Sequence, residues 1–284
     1  MIIRSRIEDK GDGSSKIVLE TVDGALVEAV RFVAWDDVPN ICVSSQIGCS
    51  FACRHCATGT MQLKRNLAAS EMIDQVKAAS WPGDCVDVLF MGMGEPFANL
   101  GEVMRAIERM VASGQLRAWE QAFVCTSGIA SRGWEDLARL PNRPHLTVSL
   151  HAGTDATRVR VVPHAERMDL AALAATIRRY TAATGDTVDL NYTVLGGVND
   201  DDANFAAFAA YAHDHGCRAR IIPFNTWLGA PFGPASTERT ERLCAMLANA
   251  GVPVLYRPSA GSRIGAGCGQ LAVRGGELEH HSAG

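Results

Sequence analysis

The chain has 284 residues, 47% of them hydrophobic and 20% charged, with a net charge of −4 and nine cysteines. That length buries a sizeable core, while the acidic balance gives no general attraction to nucleic acid, so a polyanionic partner would need a local basic patch. The start, MIIRSRIEDKGDG, has no apolar leader-type run and no stretch reaches the roughly 18 apolar residues of a membrane span; a soluble, cytoplasmic protein with no membrane partner is expected, in which an odd number of cysteines does not read as a disulfide framework.

In chain order, KIVLETVDGALVEAVRF sets two β-rich runs around Asp23-Gly24, a tight-turn signal, and predicts a β-hairpin. Strands are then expected at 41–45, 86–91, 122–126, 146–150, 187–195, 218–223 and 252–256, with helices at 68–80, 100–112, 133–140, 170–182, 202–215 and 236–250. EVMRAIERMV and TERTERLCAML repeat apolar residues with the helical period of a face that covers a sheet. Repeated β-α units imply the α/β class: a parallel sheet with helices outside, as a full or partial TIM-type barrel or a doubly wound sheet. Ligands then belong at the C-terminal ends of strands. IGCSFACRHCATG, GMGEP, TSG, SLHAG, PFN and GAGCGQL all fall at or just after such ends. The expected division is a hairpin extension over 1–36 and a core with a C-terminal cysteine loop over 37–284.

Cys49, Cys53 and Cys56 stand in C-x3-C-x2-C spacing. Four thiolates close a structural zinc or an ordinary iron–sulfur cluster, whereas three thiolates on a [4Fe-4S] cluster leave one iron open to a substrate. A zinc site borrowing a distant ligand, such as His55, is the alternative. The spacing is unusual for zinc, and a strand before the loop with a β-α array behind it favours the cluster.

CVSSQIGCSFACRHCATG, RNLAASEMIDQV, VLFMGMGEPFANL, TSG, SLHAGTDATRVRVVP, YTVLGGVND, IIPFN, GAPFG and GCGQL together resemble the RlmN/Cfr radical S-adenosylmethionine (SAM) methyltransferases, which methylate C2 or C8 of an adenine in 23S ribosomal RNA. The resemblance runs from the hairpin to GCGQL and implies a partial (βα)6 radical-SAM TIM-type barrel with an N-terminal β-hairpin extension, carrying a [4Fe-4S] cluster and SAM. It makes Cys49, Cys53 and Cys56 the cluster ligands, and Gly94, Glu95, Ser127, Ser149, Leu150, His151 and Asn225 the SAM-binding residues. A carboxylate at Glu95 suits an ammonium, and Gly92 and Gly94 let backbone approach a ligand. The resemblance further implies a methyl carried on Cys268, two SAM molecules per turnover, Glu28 as the base and Cys42 as the thiol that releases product by forming a disulfide with Cys268. Glycines beside Cys268 would leave its thiol on a mobile, accessible loop. Strand alternation places Glu28 with Leu26, Val30 and Phe32, an apolar face that suits a base of raised pKa; an exposed strand glutamate is the alternative. Cys85, Cys125, Cys217 and Cys244 read as buried packing residues.

Members of that family typically carry an extra N-terminal helical domain, and the chain is expected to start where that domain would end. Arg54, Lys64, Arg65, Arg158 and Arg160 lie in or near the site loops, with Arg178 and Arg179 further off. The expected substrate is adenosine in rRNA or tRNA, C2 rather than C8, with a flavodoxin- or ferredoxin-type electron donor. A small adenine-like or heteroaromatic metabolite is the second reading, and a non-catalytic iron–sulfur or zinc protein the third; Cys42, Cys268 and Glu28 together speak against the last, because simple binding needs no such trio.

Overall fold

The computed structural model describes residues 1–33 and 38–272. The chain divides into two compact units, one of residues 1–50, 56–123 and those from 259 onward, the other of residues 51–55 and 124–258.

The first unit begins with three antiparallel strands where the sequence predicts two: β1 (Ile2–Glu8), β2 (Ser15–Glu20) and β3 (Leu26–Val33). The β2–β3 turn falls at Asp23-Gly24 as expected, with Gly24 at φ +76°. β1 escapes a sequence reading because most of its residues are exposed, so no apolar alternation marks it. β3 pairs antiparallel with β4 (Pro39–Cys42). A short ladder of β5 (Gln46–Ile47) and β6 (Arg65–Asn66) precedes α1 (Ala69–Ala79), which packs on β2 and β3. β7 (Asp87–Phe90) runs parallel to β4, and α2 (Leu100–Ala112) follows it, burying Leu100, Val103, Ala106, Ile107 and Met110 at helical spacing. The chain crosses to the second unit within β8 (Ala122–Thr126).

The second unit continues through α3 (Gly133–Ala138), β9 (His145–Ser149), α4 (Asp155–Val161), α5 (Leu170–Thr184), β10 (Asp189–Gly196) and α6 (Asp202–Asp214). It ends with β11 (Arg218–Pro223), β12 (Gly233–Pro234), α7 (Thr237–Asn249) and β13 (Val254–Tyr256). β9, β10, β11 and β13 are parallel, and β12 lies antiparallel on the end of β10. β10, between two neighbours, is buried along almost its whole length, as a strand covered on both faces must be. Its Asp189 is paired with Arg218 and Arg220, and its Tyr192 packs on Phe208 of α6 with ring centroids 4.6 Å apart. Asp169, Asp201 and Ser236 cap α5, α6 and α7 by accepting from Ala172, Asn204 and Arg239 N–H groups.

Among the described residues six strand–helix repeats run from β4 to α7, and β13 ends the row by pairing with β11 alone. This is the expected α/β class, an open partial (βα)6 array with an antiparallel β extension before it. Most expected strands keep their place; the first stops at Cys42 and not at residue 45, because the next residues leave the ladder for side-chain partners. Phe208 is fully buried against Tyr192. Phe208→Ala is expected to lower stability by about 3–5 kcal/mol, read as a reduced urea midpoint with the slope kept.

Candidate active site

The cysteine loop leaves β5 through Gly48, at φ +75°, where a Cβ would stand 2.1 Å from the Gln62 carbonyl oxygen, so no other residue fits. All three loop cysteines are free thiols and half-buried. Cys49 and Cys56 belong to the first unit and Cys53 to the second. In the second unit the Arg54 N–H donates to the Val161 carbonyl at 2.9 Å, Phe51 packs edge-on against His164, and Cys53 packs on Val161, Val162 and Ala165. Among the described residues no three His, Cys, Asp or Glu side chains gather as a single ion would require. The donor set fits a [4Fe-4S] cluster: three thiols in one loop, with no carboxylate between them.

The C-terminal loop is fastened to this one inside the first unit. Ala57 N–H donates to the Gly269 carbonyl at 2.7 Å, and the Thr58 hydroxyl donates to the Leu271 carbonyl. Overlapping these ties, Gly267 and Gln270 close a tight turn, each donating to the other. Cys268 sits at its tip, exposed. The expected accessibility is therefore present, but the loop is anchored on both sides where the sequence suggested a mobile one: glycine supplies the turn geometry (Gly269 φ +83°), and hydrogen bonds hold it. Burial pushes the Cys56 thiol pKa up, and the nearby Cys268 adds to the effect.

Glu28 is buried, not an exposed strand glutamate. Both faces of β3 are covered from Val27 to Arg31, more than the alternation suggested. Lys16 Nζ stands 3.2 Å from Glu28 Oε1 and donates to the Gly265 carbonyl at 3.4 Å, while Glu28 Oε2 has no partner. Burial raises the Glu28 pKa, against the pull of Lys16 and of the Ala272 N–H. Cys42 lies directly across from Val30 in the β3–β4 register, so it shares a face with Val30 and Glu28. Within the first unit, then, the C-terminal loop approaches Cys56 on one side and Glu28 on the other.

The GMGEP loop is held by side chains the sequence reading passed over. Ser44 accepts from Met93 N–H at 2.9 Å and donates to the Glu28 carbonyl at 2.7 Å. Gln75 of α1 clasps the Ser44 peptide, accepting from its N–H and donating to its carbonyl at 2.8 and 3.0 Å. Gln46 accepts from the Glu95 N–H at 2.8 Å, and Asn99 donates to the Ser45 and Leu67 carbonyls. A Cβ on Gly92 would meet Ser44 and Val43 at 2.8 Å, and one on Gly94 would meet Gln46 at 2.6 Å. These glycines therefore make room first for the chain's own backbone and side chains. Glu95 is buried and accepts from the Phe97 N–H at 3.0 Å. A glutamine on the otherwise apolar buried face of α1 was the signal that could have found Gln75.

In the second unit Ser127, Leu150, His151 and Asn225 are buried and Ser149 half-buried. Leu150 and His151 both donate their N–H to the Asn191 carbonyl at 3.1 Å. His151 has a left-handed backbone, φ +58°, fixed by Asn199, which donates to its carbonyl at 2.8 Å. His151 Nδ1 accepts from the Thr193 N–H at 2.9 Å, which leaves the proton on Nε2. Burial, with His55 and Arg158 nearby, holds its pKa well below the usual range, so the ring is neutral. Cys217 is buried as expected, but Cys85, Cys125 and Cys244 are only half-buried; Cys125 Sγ lies 3.2 Å from Ser149 Oγ at a strand end, where side chains meet polar partners. Two of the basic residues singled out from sequence are structural. Arg65 is paired with Asp23 and Glu71, and Arg158 is wholly buried, whereas Arg54, Lys64 and Arg160 are exposed.

The family model of the Radical SAM superfamily matches residues 43–209. A probable dual-specificity RNA methyltransferase RlmN of Thermus thermophilus is 33% identical over 93% of this chain and 75% of its own length. A probable dual-specificity RNA methyltransferase RlmN 1 of Opitutus terrae is 36% identical over 95% of this chain and 79% of its own. The crystal structure of a radical SAM methyltransferase from Sphaerobacter thermophilus superposes with a TM-score of 0.89 at 37% identity, over 94% of this chain and 80% of that one.

Gln75→Leu would strip both partners from the buried Ser44 peptide. The expected loss is about 1–3 kcal/mol for each group left unpaired, measured as a fall in the urea midpoint.

Proposed function

The chain belongs to the radical SAM superfamily and, within it, to the RlmN family of methyltransferases, and we propose that it methylates C2 of an adenine in ribosomal or transfer RNA, with Cys268 as methyl carrier, Glu28 as base and Cys42 as the releasing thiol. The observation that carries this reading is the anchored turn that presents an exposed Cys268 while its flanks reach Cys56 and, through Lys16 and the Ala272 N–H, Glu28. RNA as the acceptor is supported by the relatives, which are named RNA methyltransferases, and Arg54, Lys64 and Arg160 are the exposed cations available to phosphates.

A [4Fe-4S] cluster and SAM are the cofactors of this family; when bound, they supply the methyl group and one-electron chemistry, with an electron from a flavodoxin- or ferredoxin-type donor. Cys49, Cys53 and Cys56 would hold the cluster, and Gly94, Glu95, Ser127, Ser149, Leu150, His151 and Asn225 would hold SAM. The residues divide the remaining work. Cys268 Sγ, at the surface of its turn, is the nucleophile that accepts the methyl. Neutral His151 offers Nε2–H as a donor at neutral pH. Glu28 takes the ring proton: burial sets its proton affinity high enough for a base, and Lys16 keeps it ionised. Cys42, as its thiolate, attacks the Cys268 sulfur, forming an S–S bond as the sulfur–carbon bond breaks; the electron pair leaves with the carbon, which takes up a proton to become the product methyl.

After anaerobic reconstitution with iron and sulfide, addition of SAM should place a methyl on the peptide bearing Cys268, seen by mass spectrometry. Cys268→Ala should abolish transfer with iron content intact, and Cys42→Ala should trap a covalent protein–RNA adduct; full turnover by either variant overturns its assignment. Transfer to RNA fragments should weaken steeply as salt rises, whereas a small-molecule acceptor would show little salt dependence.

Lys16 lowers the Glu28 pKa, so in Lys16→Met the carboxyl stays protonated to higher pH. The acidic limb of the rate profile should move to higher pH while rates above it approach the unmodified protein's. An unmoved limb would remove the Lys16–Glu28 pair from the chemistry.

A further inference from the structure

The largest fully buried side chain among the described residues is a charged one, Arg158 of α4. Its Nη2 donates to the Ser127 carbonyl at 2.9 Å and its Nη1 to the Met168 carbonyl, while Nε has no partner. It makes no ion pair among the described residues. Asp155 and Asp169 act on it only through space, and each instead accepts a helix N–H, from Leu170 and Ala172 respectively. Tyr211 also lies near, but burial holds its hydroxyl neutral. The fold makes room for this guanidinium: a Cβ on Gly128, at φ +75°, would stand 3.0 Å from Arg158 Nη2. A buried cation that hydrogen-bonds only to carbonyls and has no ion-pair partner among the described residues is a costly arrangement that calls for an anion.

The segment carrying Cys53 is seated on the same helix. The Arg54 N–H bonds to the Val161 carbonyl, one turn beyond Arg158, and Cys53 packs on Val161 and Val162. Cys53 lies close enough to Arg158 that its sulfur, once ionised, acts on the guanidinium. A [4Fe-4S] cluster with three thiolates is a net anion, and reduction adds a further negative charge.

We propose that Arg158 is the built-in counter-charge of the cluster, a positioning residue that stabilises its reduced form and so raises the potential at which the external donor can reduce it. The inference rests on the assignment of the cluster to Cys49, Cys53 and Cys56. A residue that merely ties Ser127 to Met168 would not alter the cluster's potential, and this separates the two roles.

The test uses the full-length protein reconstituted anaerobically, with iron content, thermal melting of the apo and cluster-loaded forms, and EPR-monitored redox titration. Arg158→Gln and Arg158→Met should load iron but show about a tenfold loss in the reduction equilibrium, which is about 59 mV for one electron. Arg158→Lys, which keeps the charge, should stay near the unmodified potential. The neutral variants should also melt at or above the unmodified protein without the cluster and below it with the cluster, since the charge is uncompensated only in the apo form. An unchanged potential in an iron-loaded neutral variant overturns the proposal, and so does equal destabilisation of apo and loaded forms. Failure of both neutral variants to fold even without the cluster makes Arg158 a structural tie and overturns it as well. If the unmodified protein binds no iron, the cluster assignment itself has failed, a result distinct from a normal cluster with an unmoved potential.

Discussion

A buried backbone group must be hydrogen-bonded, and the first unit is organised around meeting that demand where the sheet no longer does. β4 stops at Cys42 and β7 at Phe90, yet Val43 to Gly48 and Met93 to Glu95 remain in the interior for the most part. Beyond these points only the short β5–β6 ladder remains, so the two loops pair with each other and with side chains: Ser45 N–H to the Met93 carbonyl, Gly92 N–H to the Val43 carbonyl, Gln75 on Ser44, Gln46 on Glu95 and Asn99 on Ser45. Such an arrangement admits few substitutions: Gly92 and Gly94 leave no room for a Cβ, and the Gln46, Gln75 and Asn99 amides supply the remaining hydrogen bonds. The outcome is a rigid irregular surface at the strand ends, which is what a site needs when its groups must be held in place before any ligand arrives.

The same constraint explains how the C-terminal loop becomes part of the chemistry. It has no strand to join, so its carbonyls are taken up by the cysteine loop at Ala57 and Thr58, and by Lys16 of β2. Lys16 thereby does two things with one ammonium group: it holds the Gly265 carbonyl and it neutralises one oxygen of Glu28. The other oxygen, buried and unpartnered, is the one left to accept a proton. A carboxylate so placed is costly to keep ionised, which is the physical support for the base role proposed for it.

Where the sequence was legible, burial was one-sided or periodic. The six strand–helix repeats announce themselves through apolar runs and helical spacing, and the polar motifs after them mark the strand ends. β1 was illegible because an edge strand exposed along most of its length has no face to write a pattern on. Gln75 and Asn99 were illegible because a glutamine or asparagine in isolation looks like surface; their role comes from backbone groups distant in sequence, 31 residues away for the Gln75–Ser44 pair. Arg158 was illegible for the converse reason. Charge in a sequence suggests solvent, and only the packing of α4 against the Ser127 segment shows that this charge never meets it. Arg65 differs again: it stays part-exposed but is claimed by Asp23 and Glu71, a pairing that its place near the site loops did not reveal.

Nine thiols in one chain pose a selectivity problem for any chemistry that runs through sulfur, because only one should carry the transferred group. Environment sorts them. Cys217, buried beside Asp189, has its pKa pushed up to about 12, and Cys244 is raised by burial and by Glu241, so neither presents a thiolate at neutral pH. Cys56 is raised too, by burial first and by the nearby Cys268. Cys85 and Cys125 are occupied as acceptors of amide hydrogen bonds from Gln121 and Asn191. Cys268 alone is exposed, at the tip of a turn whose ends are tied down. Full exposure is thus confined to Cys268, with Cys42, Cys49 and Cys53 half-buried, and the tied ends let that sulfur be exposed without being free to wander.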